Sequence, residues 1–209
     1  MRRRRSLIDL FWLACLLVLL AALLPVCQAQ VPESAVRHRA DLVRAAHSQW
    51  GLGAPIAALA AQVHQESGWR EGAVSRVGAA GMAQFMPQTA TWWCGLQGQT
   101  ADQCQPTNPT WALRALVGYD YWLYQRTPAH YAPADRLWVA LRAYNGGLGH
   151  WQAEARATGR TQPTRQQVDA ACGRARRAAL HCPENLGYPH RILRVLAPRY
   201  ATWGAALPG

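Results

Sequence analysis

The 209-residue sequence contains no lysine, so all 22 of its basic side chains are arginine. It has no run in which apolar and polar residues alternate as a half-buried β-strand requires, which excludes a sheet-based fold class. No internal repeat and no long linker interrupt it, so a solenoid is excluded and two full domains would crowd a chain of this length. None of its six cysteines stands in the short Cys-x-x-Cys type of spacing, which excludes an ordinary structural zinc site. With half of its residues hydrophobic and only 16% charged, the chain can bury one substantial core.

The chain opens with Arg2 to Arg5, an apolar run from Leu10 to Leu24, and then Pro25, Val26, Cys27, Gln28 and Ala29. A basic start, an apolar middle and a small-residue exit are the three parts of a secretory signal peptide, expected to be cut after Ala29. A retained membrane anchor and lipidation at Cys27 are the alternatives; the bulky Val26 argues against lipidation. Removing the four arginines and Asp9 of the signal leaves 18 Arg against 10 acids, a net charge of +8. Such a surface suits nucleic acid, acidic lipid or an anionic cell wall, and export argues against nucleic acid. Four cysteines, Cys94, Cys104, Cys172 and Cys182, remain in the exported part. They permit three pairings. Two local loops, Cys94 to Cys104 and Cys172 to Cys182, are expected in an oxidising compartment.

Helical periodicity is expected from Ala35 to Trp50, broken by Gly51 to Gly53. A second helix should start at Pro55 and run through Ile56, Leu59, Ala60 and Val63 to Glu66 and Ser67, with Gly68 as its stop. The Gly- and Ala-rich stretch from Arg70 to Gly81 reads as loop. Further helices are expected from Pro87 toward Trp93, from an Asn108 cap to Tyr124 or Arg126, from Pro133 to Asn145, from Gln162 to Ala179 and from Pro189 to Ala197. The fold class is mainly α.

The second helix carries its apolar stripe onto Glu66 in the last turn. Desolvation and the negative end of the helix dipole both disfavour the carboxylate there, which is what a general acid needs at neutral pH. A glutamate at a helix end that simply faces solvent is the plainer alternative. Around it stand Glu66-Ser67-Gly68-Trp69, Ala73-Val74-Ser75, Gly78-Ala79-Ala80-Gly81-Met82-Ala83-Gln84-Phe85-Met86-Pro87 and, later, Ala143-Tyr144-Asn145-Gly146-Gly147. This series resembles the soluble lytic transglycosylase family, whose catalytic domain has a goose-type lysozyme-like fold. The resemblance covers roughly Ile56 to Leu196.

That resemblance implies Glu66 as catalytic acid and base, with Ser75 and Gln84 beside it, Tyr144 and Asn145 across from it, and Tyr188 as a second tyrosine facing it. The family's Leu-Met-Gln is here Met82-Ala83-Gln84, so Ala83 lacks a thioether expected to touch the sugar. Each residue also has a structural reading: Ser75 in a turn, Gln84 a satisfied polar group before a helix, Tyr144 a core aromatic. The ten tryptophans are expected mostly in the core, although Trp69, Trp92 and Trp93 flank the motifs and could offer faces to sugar rings. His64 and Glu66 open the His-x-Glu half of a zinc deaminase signature whose cysteine half is missing.

The expected organisation is a signal peptide over 1–29, an N-terminal helix within 30–54 and a catalytic domain over 55–209. The implied activity is non-hydrolytic cleavage between N-acetylmuramic acid and N-acetylglucosamine in peptidoglycan glycan strands, in the periplasm or on a membrane anchor, without metal or organic cofactor. Opening the wall for a conjugation or secretion apparatus follows by analogy with small exported enzymes of this kind. A lysozyme-type hydrolase would need a second carboxylate, for which Glu71, Asp102, Asp120 and Asp135 are candidates. A non-catalytic wall-binding scaffold is the other alternative.

Overall fold

The computed structural model describes residues Val31–Gly209. The signal-peptide reading of 1–29 lies outside these residues. Eight α-helices are present among them: α1 Glu33–Trp50, α2 Ile56–Ser67, α3 Pro87–Leu96, α4 Pro109–Tyr124, α5 Pro133–Gly146, α6 Leu148–Ala157, α7 Arg165–Ala170 and α8 Cys182–His190. After α8 the chain winds through a π-helical turn, Arg191–Leu196, and a 3₁₀ turn, Ala197–Tyr200. The described residues contain no strand, only isolated bridges from Val74 to Ala80 and from Ala80 to Phe85. None of the described helices is long and apolar enough to cross a membrane.

The centre of the molecule is α2. Four alanines, Ala57, Ala58, Ala60 and Ala61, alternate with Ile56, Leu59 and Val63, and all are buried. The apolar surface therefore goes all round the helix rather than along one stripe. Small side chains let α1 and the C-terminal turns approach α2 closely from different sides. Leu42, Ala45 and Ala46 of α1 join the same core as Leu113, Leu116 and Val117 of α4.

The end of α2 is turned sharply by two consecutive residues of positive φ, Gly68 at 61° and Trp69 at 65°. A left-handed conformation is uncommon for a bulky residue and must be held from outside. Here Trp69 is fully buried, and its indole N–H donates to the Tyr200 hydroxyl at 2.8 Å. The same hydroxyl lies 2.7 Å from Nδ1 of His64. Burial, reinforced by Arg199 and Arg191, lowers the His64 pKa, so a neutral ring accepts the Tyr200 proton at Nδ1. Tyr200 thus ties the last turn of α2 to the C-terminal segment.

Several expected elements appear as read. Asn108 caps α4, its Oδ1 accepting from the Trp111 N–H at 3.1 Å, with Pro109 in the first turn. Both disulfides, Cys94–Cys104 and Cys172–Cys182, are formed. Pro55 stands one residue before its helix rather than at its first position.

Other elements differ. The helix expected from Gln162 to Ala179 is only α7, started by the Thr164–Gln167 capping box and ended at Ala171. Beyond it, Gly173 at φ 80° and the Cys172–Cys182 bridge fold the chain back, which a continuing helix could not do. The helix expected to begin at Pro189 begins at Cys182, and Pro189 lies inside it. The missing N–H of Pro189 is followed by the π turn, a wider helix in which a different set of bonds is made. Helix α6 had no sequence counterpart; Gly147, at φ 85°, both ends α5 and starts α6.

Replacing Tyr200 with Phe leaves the Trp69 N–H buried without its acceptor and is expected to cost about 1–3 kcal/mol of stability. Urea denaturation of the two proteins checks this.

Candidate active site

Glu66 projects from the last turn of α2, partly buried, with its Oε1 accepting a hydrogen bond from the Tyr188 hydroxyl of α8. Burial pushes its carboxyl pKa up to about 7; the Tyr188 bond opposes this and the charge of Glu184 adds to it. Among the described residues, no cation pairs with it. A carboxyl group desolvated without a counter-charge keeps its proton. Since Tyr188 occupies Oε1, the acidic proton belongs on Oε2. Burial raises the Tyr188 pKa well above the usual phenol range, so Tyr188 remains the donor.

Tyr144 of α5, near enough to feel the charge of Glu66, donates to the Ala83 carbonyl at 2.6 Å. The negative charge of Glu66 adds to burial in raising its pKa well above normal. The Tyr144 ring meets Phe85 and Tyr119, whose centroids lie 5.9 and 5.4 Å away. Asn145 follows on α5, its Oδ1 accepting from Nδ2 of Asn185 at 3.0 Å.

The loop from Arg70 onward is held by its own backbone. The Ser75 N–H donates to Ala79 and its Oγ accepts from the Ala79 N–H at 2.9 Å, so Ser75 closes a turn. Gln84 takes positive φ, and its Nε2 donates to the carbonyls of Ala73 at 3.1 Å and Gly81 at 2.8 Å. Both amide protons brace the loop, leaving Oε1 as the free polar atom. Gly81 is required here: a Cβ would lie 1.8 Å from the Pro106 carbonyl oxygen.

Ala83 is fully buried, so this position reaches the site through its carbonyl rather than through a side chain against sugar. Of the three tryptophans considered for sugar faces, Trp69 and Trp93 are 1% and 5% exposed and are core residues. Only Trp92, 44% exposed, presents a surface. His64 is committed to Tyr200, and no group of His, Cys, Asp or Glu among the described residues is arranged to hold a metal.

A buried charge network behind Asn145 had no signal in the sequence. Arg142, fully buried on α5, donates from Nε to Asn185 at 3.0 Å, from Nη1 to Asp169 at 2.7 Å and from Nη2 to Glu154 at 2.6 Å. Arg177 donates to the other Glu154 oxygen at 2.8 Å. Asn185 donates to the Arg142 carbonyl as well as to Asn145, so the network fixes the Asn145 amide. Gly146 allows this, since a Cβ there would lie 2.4 Å from Arg177 and 2.5 Å from Asn185. The Cys172–Cys182 loop carries Arg177 into place.

Two consequences can be measured. Glu154→Ala leaves two buried guanidiniums short of a partner and is expected to lose about 3–5 kcal/mol in chemical denaturation. Glu66→Gln should act in the opposite direction. The native carboxyl, at about 7, holds its proton between pH 4.5 and 7 while the unfolded one, near 4.5, has lost it. Wild-type stability therefore falls as pH rises through that window. The Gln variant should be the more stable by up to about 3 kcal/mol at pH 8, at 1.36 kcal/mol per pKa unit. This advantage should vanish below about pH 4.5, which thermal melts across pH can test.

A family model described as "Transglycosylase SLT domain" matches residues 41–166. Membrane-bound lytic murein transglycosylase F of Alteromonas mediterranea is 36% identical over 92 residues, 44% of this chain and 18% of that protein. The protein of the same name from Mannheimia succiniciproducens is 36% identical over 100 residues, 48% of this chain and 19% of its own length. The chain thus spans about a fifth of the length of these relatives. Among solved structures, an inactive mutant of the lytic transglycosylase Slt from Pseudomonas aeruginosa aligns with TM-score 0.59 at 24% identity. The alignment covers 82% of this chain and 25% of that one. The 70 kDa soluble lytic transglycosylase of Escherichia coli aligns with TM-score 0.55 at 23% identity, over 80% and 25% of the two chains. At these identities the structural likeness is one of fold. The family match spans more than half of the sequence and includes Glu66, Ser75, Gln84, Tyr144 and Asn145, and on it this chain belongs to the transglycosylase SLT domain family.

Proposed function

We propose that this chain is a peptidoglycan lytic transglycosylase that cleaves the bond between N-acetylmuramic acid and N-acetylglucosamine, with Glu66 as its acid and then its base. The observation that carries this reading is a carboxyl desolvated to a pKa of about 7 and held by one tyrosine hydroxyl, with no pairing cation among the described residues.

A glycosidic oxygen is a poor leaving group until it is protonated. Oε2 of Glu66 supplies that proton, and Tyr188 at Oε1 keeps the carboxyl oriented while it does so. Bond breaking leaves an oxocarbenium-like carbon and a Glu66 carboxylate. The sugar's own C6 hydroxyl then attacks that carbon. It is tethered to the same ring, so its effective concentration is high. Glu66 takes the C6 hydroxyl proton, which restores the acid and closes a 1,6-anhydro ring on the muramic acid. No water is consumed.

Hydrolysis would call for a second carboxylate acting on water or on the sugar. Glu71 is paired with His38, Asp135 with Arg165, and Asp120 is buried against Gln62. Asp102 is exposed in a 3₁₀ turn. These commitments favour the intramolecular acceptor. Ser75, Gln84, Tyr144 and Asn145 are the proposed substrate-side residues, with the free Oε1 of Gln84 as a polar contact for sugar. The arginine-rich surface suits an anionic wall. Periplasmic export follows from the 1–29 signal reading, and wall opening for a conjugation or secretion machine is the cellular role the analogy favours.

Digests of purified peptidoglycan, read by mass spectrometry, should contain muropeptides with 1,6-anhydro ends. Glu66→Gln should lower the rate by at least about 100-fold, the general-acid contribution, while glycan binding persists. Reducing-end muramic acid alone would make the chain a lysozyme-type hydrolase. Glycan binding with no product of either kind from the wild type would make it a scaffold.

A further inference from the structure

One helical turn before Glu66 on α2 stands Gln62, and beneath it stands Asp120 of α4; both are 0% exposed. Nε2 of Gln62 donates to Oδ1 of Asp120 at 3.3 Å. The two remaining polar atoms of the pair, Gln62 Oε1 and Asp120 Oδ2, are buried and have no hydrogen-bond partner among the described residues. If Asp120 were ionised, both atoms would be acceptors facing no donor. A bare charge would also sit in the core, because every salt bridge among the described residues lies elsewhere. A single proton on Oδ2 removes all three problems. With Oδ1 already accepting from Nε2, an acid O–H donating to Gln62 Oε1 would complete a two-bond ring between a carboxylic acid and an amide.

We propose that Asp120 is a positioning residue for Glu66: a protonated acid, paired in this ring with Gln62, that braces the turn of α2 carrying Glu66 and leaves Glu66 as the one carboxyl of the site that ionises. The inference rests on the reading of Glu66 as the acid.

The side chains that act on Asp120 are Gln62 and Glu66 of α2, and the charge of an ionised Asp120 would in turn bear on its neighbour Tyr119 on α4, Tyr144 on α5 and Tyr188 on α8. Burial raises the pKa values of all three tyrosines, which stay neutral, so Glu66 is the only one of them that becomes charged. Burial also pushes the Asp120 carboxyl well above the usual range; the Gln62 bond opposes this and the Glu66 charge adds to it. Two carboxylates sharing one poorly solvated site do not ionise together. When Glu66 has given its proton to the leaving oxygen, Asp120 is still neutral. The new charge then stays on Glu66, where it can take up the C6 hydroxyl proton.

Asparagine reproduces the protonated acid: its carbonyl accepts from Gln62 and its N–H donates to Gln62. Leucine removes the ring. Asp120→Leu is expected to lower kcat about tenfold with KM little changed, and Asp120→Asn to restore it, with the upper limb of the pH profile where the wild type has it. The proton itself is read by infrared difference spectra between Glu66→Gln and Glu66→Gln/Asp120→Asn, where the catalytic carboxyl no longer contributes. A protonated-carboxyl band assigned to Asp120 at pH 7 supports the ring. That measurement does not depend on whether the Leu variant folds. Carboxylate bands in its place would overturn the proposal, as would a downward shift of the upper pH limb by about a unit or more in Asp120→Asn, the mark of a lost neighbouring charge. A fully active Glu66→Gln enzyme would instead sink the assignment of Glu66, and this inference with it.

Discussion

The structure depends on keeping one carboxyl group away from water at the end of a helix that is itself wrapped on all sides. A helix as rich in alanine as α2 has little side-chain volume of its own, so neighbouring segments come close to its axis and leave few paths for solvent. Its last turn is fixed by a left-handed exit at Gly68 and Trp69 and by the Tyr200 hydroxyl, which serves His64 and Trp69 together. Tyr188 arrives from α8 and orients the carboxyl without neutralising it. The proton on Glu66 is the result of that packing.

The molecule treats its buried acids in contrasting ways, and the contrast separates chemistry from support. Glu154 is fully buried but meets two guanidiniums, Arg142 and Arg177, and acts as the centre of an ionic brace. In Asp169 burial still raises the pKa, against the opposing pull of Arg142 and Arg165. Glu66 and Asp120 meet no cation among the described residues and are pushed toward their neutral forms. A paired carboxylate positions its neighbours; an unpaired one can move a proton. The ionic brace reaches the site only through Asn185, which holds Asn145 beside Tyr144.

Helices whose ends carry local chemical signals were legible in the sequence. Asn108-Pro109 marked α4, Gly68 ended α2, and the ten-residue cysteine spacings named both bridges. Elements shaped by distant partners were not. Helix α7 stops early because the chain must turn for Arg177 to reach Glu154, and α6 exists to bury Trp151 and Glu154 against residues from other helices. Of the tryptophans beside the motifs, Trp69 and Trp93 follow the core reading and Trp92 alone is exposed, since sequence adjacency says nothing of which side a ring faces.

The helical class, the order of the site motifs and the local pairing of Cys94 with Cys104 and of Cys172 with Cys182 are written in the sequence, which also singles out Glu66 and Tyr188 as candidates. These are properties of spacing and residue type, which act over a few positions or recur as a recognisable series. Long-range packing, by contrast, sets how far the Glu66 carboxyl is desolvated, how much of their hydrogen bonding Gln84 and Ser75 spend on their own loop, and the meeting of Asp120 with Gln62 one turn before Glu66. Desolvation and buried hydrogen bonding depend on what is brought close from far along the chain: 122 residues separate Glu66 from Tyr188 and 58 separate Gln62 from Asp120. Distances of that kind are set by packing, and no local pattern encodes them.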